Sequence, residues 1–172
     1  GMAKVMKAYT MMTLVDMFCD IPYTEANLGI DNTNPAVTKG SEVYAAAIKL
    51  LQEVSDTLDL VADGRLAHGP YPGFLDNFYG ATNAAGARRW ATQAKLLLIR
   101  AYMTTRLADS GAKAKIEALL ANANVVASLT GTAQDFEFKY SKIQANPNSR
   151  HPSYNGNYNG CLLYTSPSPR DR

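Results

Sequence analysis

The chain has 172 residues, 47% of them hydrophobic and 19% charged, enough for one domain with a buried core and too apolar for a disordered polyampholyte. Its formal charge is +2, from 17 Lys and Arg against 15 Asp and Glu. The basic residues are scattered rather than striped, which argues against nucleic-acid binding. No apolar run reaches the roughly 18 to 20 residues that span a bilayer, and the longest, Tyr9 to Cys19, is interrupted by Thr10, Thr13 and Asp16.

The first segment, Met2 to Phe18, reads as a helix with Val5, Tyr9, Met12 and Val15 on one face. It has no N-cap signal, as if entered mid-helix, and no secretory leader precedes it, so either the protein is cytoplasmic or its true start lies upstream. Asp20-Ile21-Pro22-Tyr23 ends this helix, because a residue before proline is pushed out of the α region. Cys19 reads as a buried thiol, and with Cys161 it makes neither a zinc motif nor a disulfide framework. A polar loop follows, with Asp31, Asn32 and Asn34 as turn residues.

A second helix, capped by Thr38 or Ser41 with Glu42 in its first turn, carries the stripe Tyr44, Ala47, Ile48, Leu51, Val54 and Leu58. It stops before Asp63-Gly64. A loop rich in Gly, Pro and aromatics (Tyr71, Phe74, Phe78, Tyr79) runs to Asn83. A third helix, about Ala85 to Ala108, places Trp90, Ala94, Leu97, Leu98 and Ala101 on one face. Asp109-Ser110-Gly111 turns the chain into a fourth, Ala112 to Ser128, with Ile116, Leu119, Leu120, Ala123, Val126 and Ala127 inward. So short a turn makes the last two helices antiparallel. The alternation Asp135-Phe136-Glu137-Phe138-Lys139-Tyr140 then predicts a short strand. The expected fold class is all-α: helix pairs, long loops and one short strand near the C-terminal end.

No catalytic set emerges. Asp16 and Asp20, four apart, suit acid/base or cation chemistry in principle, but no further ligands follow at a known spacing, and a solvated helix end explains them better. His68 and His151 are isolated. There is no nucleophile elbow, phosphate loop or EF-hand, so no catalytic residue, metal or cofactor is expected. Aromatics in loops beside Asn and Gly suit carbohydrate or peptide binding, where a ring covers an apolar ligand face and amides fix hydroxyls. Tyr71, Tyr79, Tyr154 and Tyr158 are the candidate ligand-binding residues, while Phe74 and Phe78 read as pins between loop and helices.

Several segments resemble the SusD/RagB family in order and spacing. Lys7-Ala8-Tyr9 with Leu14-Val15-Asp16-Met17-Phe18-Cys19-Asp20-Ile21-Pro22-Tyr23 resembles the family's aromatic helix and its proline corner, with Cys19 where glycine is usual. Ser41-Glu42-Val43-Tyr44 and Leu51-Gln52-Glu53-Val54 resemble its next helix. Phe78-Tyr79-Gly80, Trp90 and Ala94 to Tyr102 resemble the following one and suggest the SusD-like subgroup found in many Bacteroidetes, and Asp135-Phe136 fits the segment after the helix pair. The resemblance covers Met2 to Tyr140. It implies tetratricopeptide-like helix pairs in an outer-membrane lipoprotein, surface-exposed and anchored only through an upstream lipid. It also implies capture of an oligosaccharide or peptide for a TonB-dependent SusC-like transporter, without catalysis. The alternatives are a helical-repeat protein–protein adaptor and a glycan-acting enzyme whose active site lies outside this segment. Residues 161–172 resemble the translation of a sequencing-library adapter, which leaves 1–160 as a partial SusD-like domain truncated at both ends.

Overall fold

The computed structural model describes residues 1–66, 76–79, 83–132, 135–141, 143 and 150–153. Five helices dominate them: α1 (Met2–Phe18), α2 (Gly40–Ala62), α3 (Ala84–Thr105), α4 (Ala112–Leu120) and α5 (Ala123–Leu129). The single sheet pairs β1 (Ile21–Pro22) antiparallel to β2 (Val37–Thr38), with Ile21 opposite Thr38. The fold is all-α. Gly1 to Phe136 form one compact unit and Glu137 onward another.

Side-chain pairs fix the helix directions in the first unit. Along α2 and α3, Asp63 meets Arg88, Asp59 meets Lys95 and Gln52 meets Tyr102. Numbers rising on one helix while falling on the other make the two antiparallel. Asp16 of α1 reaches Tyr44 near the start of α2 and Arg100 near the end of α3, so α1 runs against α2 and along α3. The core between them is the apolar stripe of each helix. Val5, Ala8, Met11 and Met12 come from α1, Val43, Ala47, Leu51 and Val54 from α2, and Ala91, Ala94, Leu98 and Ala101 from α3. Alanines on α3 bring the backbones close, and the larger α1 and α2 side chains fill the space between them.

Several sequence expectations need correction, three of them in the fold. In α1 the inward face is Val5, Ala8, Met11 and Met12; Tyr9 is turned to the surface, where the Arg100 guanidinium lies 5.9 Å from its ring centre. The anticipated fourth helix is two. Asn122 accepts hydrogen bonds from the backbone N–H groups of Asn124 and Val125, capping α5 after α4 has ended. The interruption changes the helical phase: Val125 is fully buried, whereas Val126 is 44% exposed, and Leu120, Ala123 and Ala127 also face outward. Residues 135–140 are not a strand. Phe136 is drawn into a ring cluster within the first unit instead, and the alternating residues find no partner strand among the described residues.

Candidate ligand-binding site

The resemblance motifs gather at the two ends of the α1–α3 bundle. At the first end lies the corner after α1. Cys19 closes that helix with its N–H on the Val15 carbonyl, and its φ is +64°. That is a backbone conformation which side chains other than glycine rarely adopt, and it explains on physical grounds why glycine suits the position. The Cys19 side chain is exposed, contrary to its reading as a buried thiol, because the positive φ turns the chain away from the core as α1 ends. Gly40 starts α2 directly against this corner: a Cβ there would lie 2.5 Å from the Cys19 carbonyl oxygen and 2.9 Å from Val15 Cγ1. The Gly40 N–H donates to Asp20 Oδ1 at 2.8 Å.

Asp20 therefore supplies the carboxylate that α2 lacks at its own N-cap. Neither Thr38 nor Ser41 caps it: Lys39 holds the N-cap position without a side-chain bond, and Thr38 Oγ1 is taken up by the backbone and hydroxyl of Thr24. The charge also lies at the positive end of the helix dipole. Asp16 is equally engaged. Its Oδ1 accepts from the Tyr44 hydroxyl at 2.7 Å and its Oδ2 from Arg100 at 2.9 Å, tying α1, α2 and α3 together. Burial first, and then the Asp16 hydrogen bond, push the Tyr44 hydroxyl above the ordinary tyrosine range. Both carboxylates are exposed, as expected of a solvated helix end, and both also anchor neighbouring helices.

At the opposite end, Asp76 is the organising group. It is buried; Oδ1 accepts from the backbone N–H groups of Phe78 and Tyr79, and Oδ2 accepts from Trp90 Nε1 at 2.8 Å. Around the indole, Phe78 and Tyr79 stand edge-on at 5.7 and 5.5 Å, and Phe136 stacks on Phe78 at 4.4 Å between ring centres. Trp90 is 1% exposed, as its place on the third helix's apolar face led one to expect. The sequence reading missed Asp76. Its only local signal is an acceptor two residues before an aromatic pair, a spacing that suits an Asx turn.

Of the candidate ligand residues, Tyr79 lies in this cluster, half-buried, with the Arg89 guanidinium 5.9 Å from its ring centre. Burial foremost, with the Asp76 and Asp135 charges adding to it against Arg89, pushes its hydroxyl up to about 12. Tyr71, Tyr154 and Tyr158 lie outside the described residues, as does the stretch 161–172. Lys95, another motif residue, is buried and bonds Asp59 of α2.

An open groove of about 500 Å³ runs over the α3–α4 turn, lined by Met103, Arg106, Leu107, Ala112, Lys113 and Ile116 among others. A second, of about 380 Å³, lies where the end of α2 meets the start of α3, beside Arg88, Arg89 and Asn124. Among the described residues no group of three or more His, Cys, Asp and Glu side chains is placed to hold a metal ion, and no helix is long and apolar enough to cross a membrane. The polar motif residues described above hold helices to one another.

Neither a curated protein nor a solved structure matches the chain. A family model does: SusD-like_2, described as "Starch-binding associating with outer membrane", matches residues 1–159. The chain accordingly belongs to the SusD-like_2 family, a family of starch-binding proteins that associate with the outer membrane.

Proposed function

We propose that this chain is the helical scaffold of a surface-exposed nutrient-binding lipoprotein, anchored through a lipid upstream of it. It captures an oligosaccharide or peptide, hands it unchanged to a TonB-dependent SusC-like transporter, and has no catalytic role. The observation that carries this reading is the family match over residues 1–159. The geometry supports it in one respect. Asp16, Asp20, Asp59 and Asp76 each hold a scaffold donor, and a carboxylate occupied in this way is not poised as a general base.

Ligand contacts in this reading fall to Tyr71, Tyr79, Tyr154 and Tyr158. Tyr79 supports its share by keeping its hydroxyl edge without a hydrogen-bond partner among the described residues, while its ring stays seated against Trp90. Residues 1–160 belong to the binding domain, and 161–172 are a non-native appendage. Calorimetry of the full-length protein against linear α-glucans, other glycans and peptides, followed by product analysis, tests the function. Binding with the ligand recovered intact is the expected result. Cleaved products overturn the non-catalytic reading, and no binding across a broad panel with folded protein puts the protein–protein adaptor first.

A further inference from the structure

The groove where the end of α2 meets the start of α3 is lined by Arg88, Arg89 and Asn124 together with Ala62, Ala84 and Ala85, and no carboxylate lines it. Its volume of about 380 Å³ falls within the range of small-ligand pockets, about 300 to 1,000 Å³. The alanines offer a bound molecule apolar surface but no side-chain hydrogen bond.

The two arginines are only partly committed to the fold. A guanidinium carries several N–H donors in a planar fork. Arg88 gives one to Asp63 Oδ1 at 2.7 Å, and Arg89 gives one to the Tyr79 carbonyl at 3.4 Å. The remaining donors of both have no hydrogen-bond partner among the described residues. Asp63 is the one carboxylate paired with either arginine among those residues, which leaves one positive charge over. Both side chains are half-buried, and so is Asn124, whose side-chain amide also has no partner among the described residues.

This is a donor set for an oxyanion. A guanidinium fork matches the two oxygens of a carboxylate or phosphate, and an amide serves a hydroxyl as donor or acceptor. The groove also adjoins a candidate ligand residue, since the Arg89 guanidinium lies 5.9 Å from the Tyr79 ring centre. A neutral glucan offers the forks hydroxyls alone. A uronate offers the carboxylate that they match and the hydroxyls that the amide takes.

We propose that this groove is an anion-recognition subsite, in which Arg88 and Arg89 hold the carboxylate of a uronic acid residue and Asn124 takes a neighbouring hydroxyl. The captured ligand is then an acidic oligosaccharide. This deepens the function proposed above and rests on its glycan-binding form.

The test is calorimetry of the full-length protein with galacturonate, mannuronate and hyaluronan oligomers, the methyl esters of the same oligomers, linear malto-oligosaccharides and inorganic phosphate. A uronate oligomer should bind, and its methyl ester should bind at least about tenfold more weakly, because a charge-assisted hydrogen-bonded pair is lost. Added salt should weaken the acid and not the ester. Two variants remove the site while sparing the fold. Arg88→Gln gives up only an exposed ion pair with Asp63. Asn124→Asp puts a carboxylate in the groove, at the second residue of α5, where a negative charge suits the helix dipole. Each should weaken uronate binding about tenfold, with circular dichroism unchanged. Parent-like uronate affinity in both variants, or an ester that binds as well as the acid, overturns the subsite. Malto-oligosaccharide binding without uronate binding overturns the subsite and leaves the proposed function standing. Phosphate that binds as tightly as the uronate and displaces it overturns the sugar assignment. No glycan bound at all overturns the subsite together with the glycan-binding form on which it rests.

Discussion

The two ends of the α1–α3 bundle are each organised by carboxylates, yet they are built differently. At the corner end, Asp16 and Asp20 sit near solvent and tie helices through polar contacts, and the geometry turns on backbone: a positive φ at Cys19 and a missing Cβ at Gly40. At the aromatic end, Asp76 is buried and its partner is an indole inside a ring cluster. The contrast separates two ways of fixing a fold. One end depends on shape at the level of single atoms and little on burial, because exposed ion pairs contribute only about 0 to 1 kcal/mol. The other depends on apolar area removed from water, with one carboxylate preventing an unpaired N–H. Disturbing each end in turn tests that difference.

The largest effect is expected at the aromatic end. Trp90→Ala should cost roughly 3 to 5 kcal/mol, because it removes a fully buried ring and leaves the Asp76 carboxylate without its indole partner. Urea unfolding followed by circular dichroism measures it. A loss under about 0.5 kcal/mol, the range of exposed surface substitutions, would mean that the cluster does not carry this end.

At the corner end the corresponding test adds an atom instead of removing one. Gly40→Ala should cost about 1 to 3 kcal/mol, the usual range for overpacking, although alanine is the better helix former. The reason is the 2.5 Å approach to the Cys19 carbonyl, a backbone atom that cannot swing aside as a side-chain tip can. If thermal unfolding finds Gly40→Ala neutral or stabilising, the corner is looser than the geometry states.

These two positions also show what a sequence reveals. Trp90 was legible because it lies on a helical stripe, where periodicity reports burial directly. The extents of α1 and α2 were legible for the same reason, as was the start of α3, which ends at Thr105 rather than Ala108. Gly40 was not, since the need for a missing Cβ arises from Cys19 and Val15, which lie far from it in sequence. The break between α4 and α5 was missed because Asn122 interrupts an apolar pattern that otherwise continues, and the cap won over the period. The alternation of residues 135–140 failed for a different reason. A strand requires a neighbour to pair with, and Phe136 gains more from a ring cluster than from an unpaired extended ladder. Of the candidate ligand residues, only Tyr79 falls among the described ones, and its loop position hid how far it is packed against Trp90. Asp76 carries no periodic signature at all.

A smaller effect, opposite in sign, is expected from Cys19→Gly. Positive φ at a non-glycine residue costs on the order of 1 to 3 kcal/mol, and glycine in the unfolded chain offsets roughly 0.5 to 1 kcal/mol of that relief. The side chain is exposed, so little packing is lost with it. The variant should gain about 1 kcal/mol in stability, read as a rise in the urea midpoint at unchanged slope. A loss would show that the thiol makes a contact that outweighs the strain.

The smallest effect at neutral pH, and the one most specific to the aromatic end, concerns Tyr79. Burial and the nearby Asp76 and Asp135 charges raise its hydroxyl to about 12 against an ordinary 10. The folded state therefore holds a proton that the unfolded state releases first as pH rises. Below about pH 10 both states are protonated and the group adds no pH dependence; between about 10 and 12 the unfolded chain binds fewer protons, so stability falls as pH increases. Tyr44 is raised as well, with burial again the leading cause, and it contributes to the same decline from the corner end. Tyr79→Phe should keep the ring packing, leave stability near neutrality almost unchanged, and make the alkaline decline shallower without abolishing it. Tyr44→Phe should also make it shallower, but at some cost near neutrality, because Asp16 then loses a donor. Chemical denaturation repeated from pH 8 upward reads both slopes. An alkaline slope identical in parent and Tyr79→Phe would mean that this hydroxyl titrates as in the unfolded chain, and that the packed side of Tyr79 is open to water.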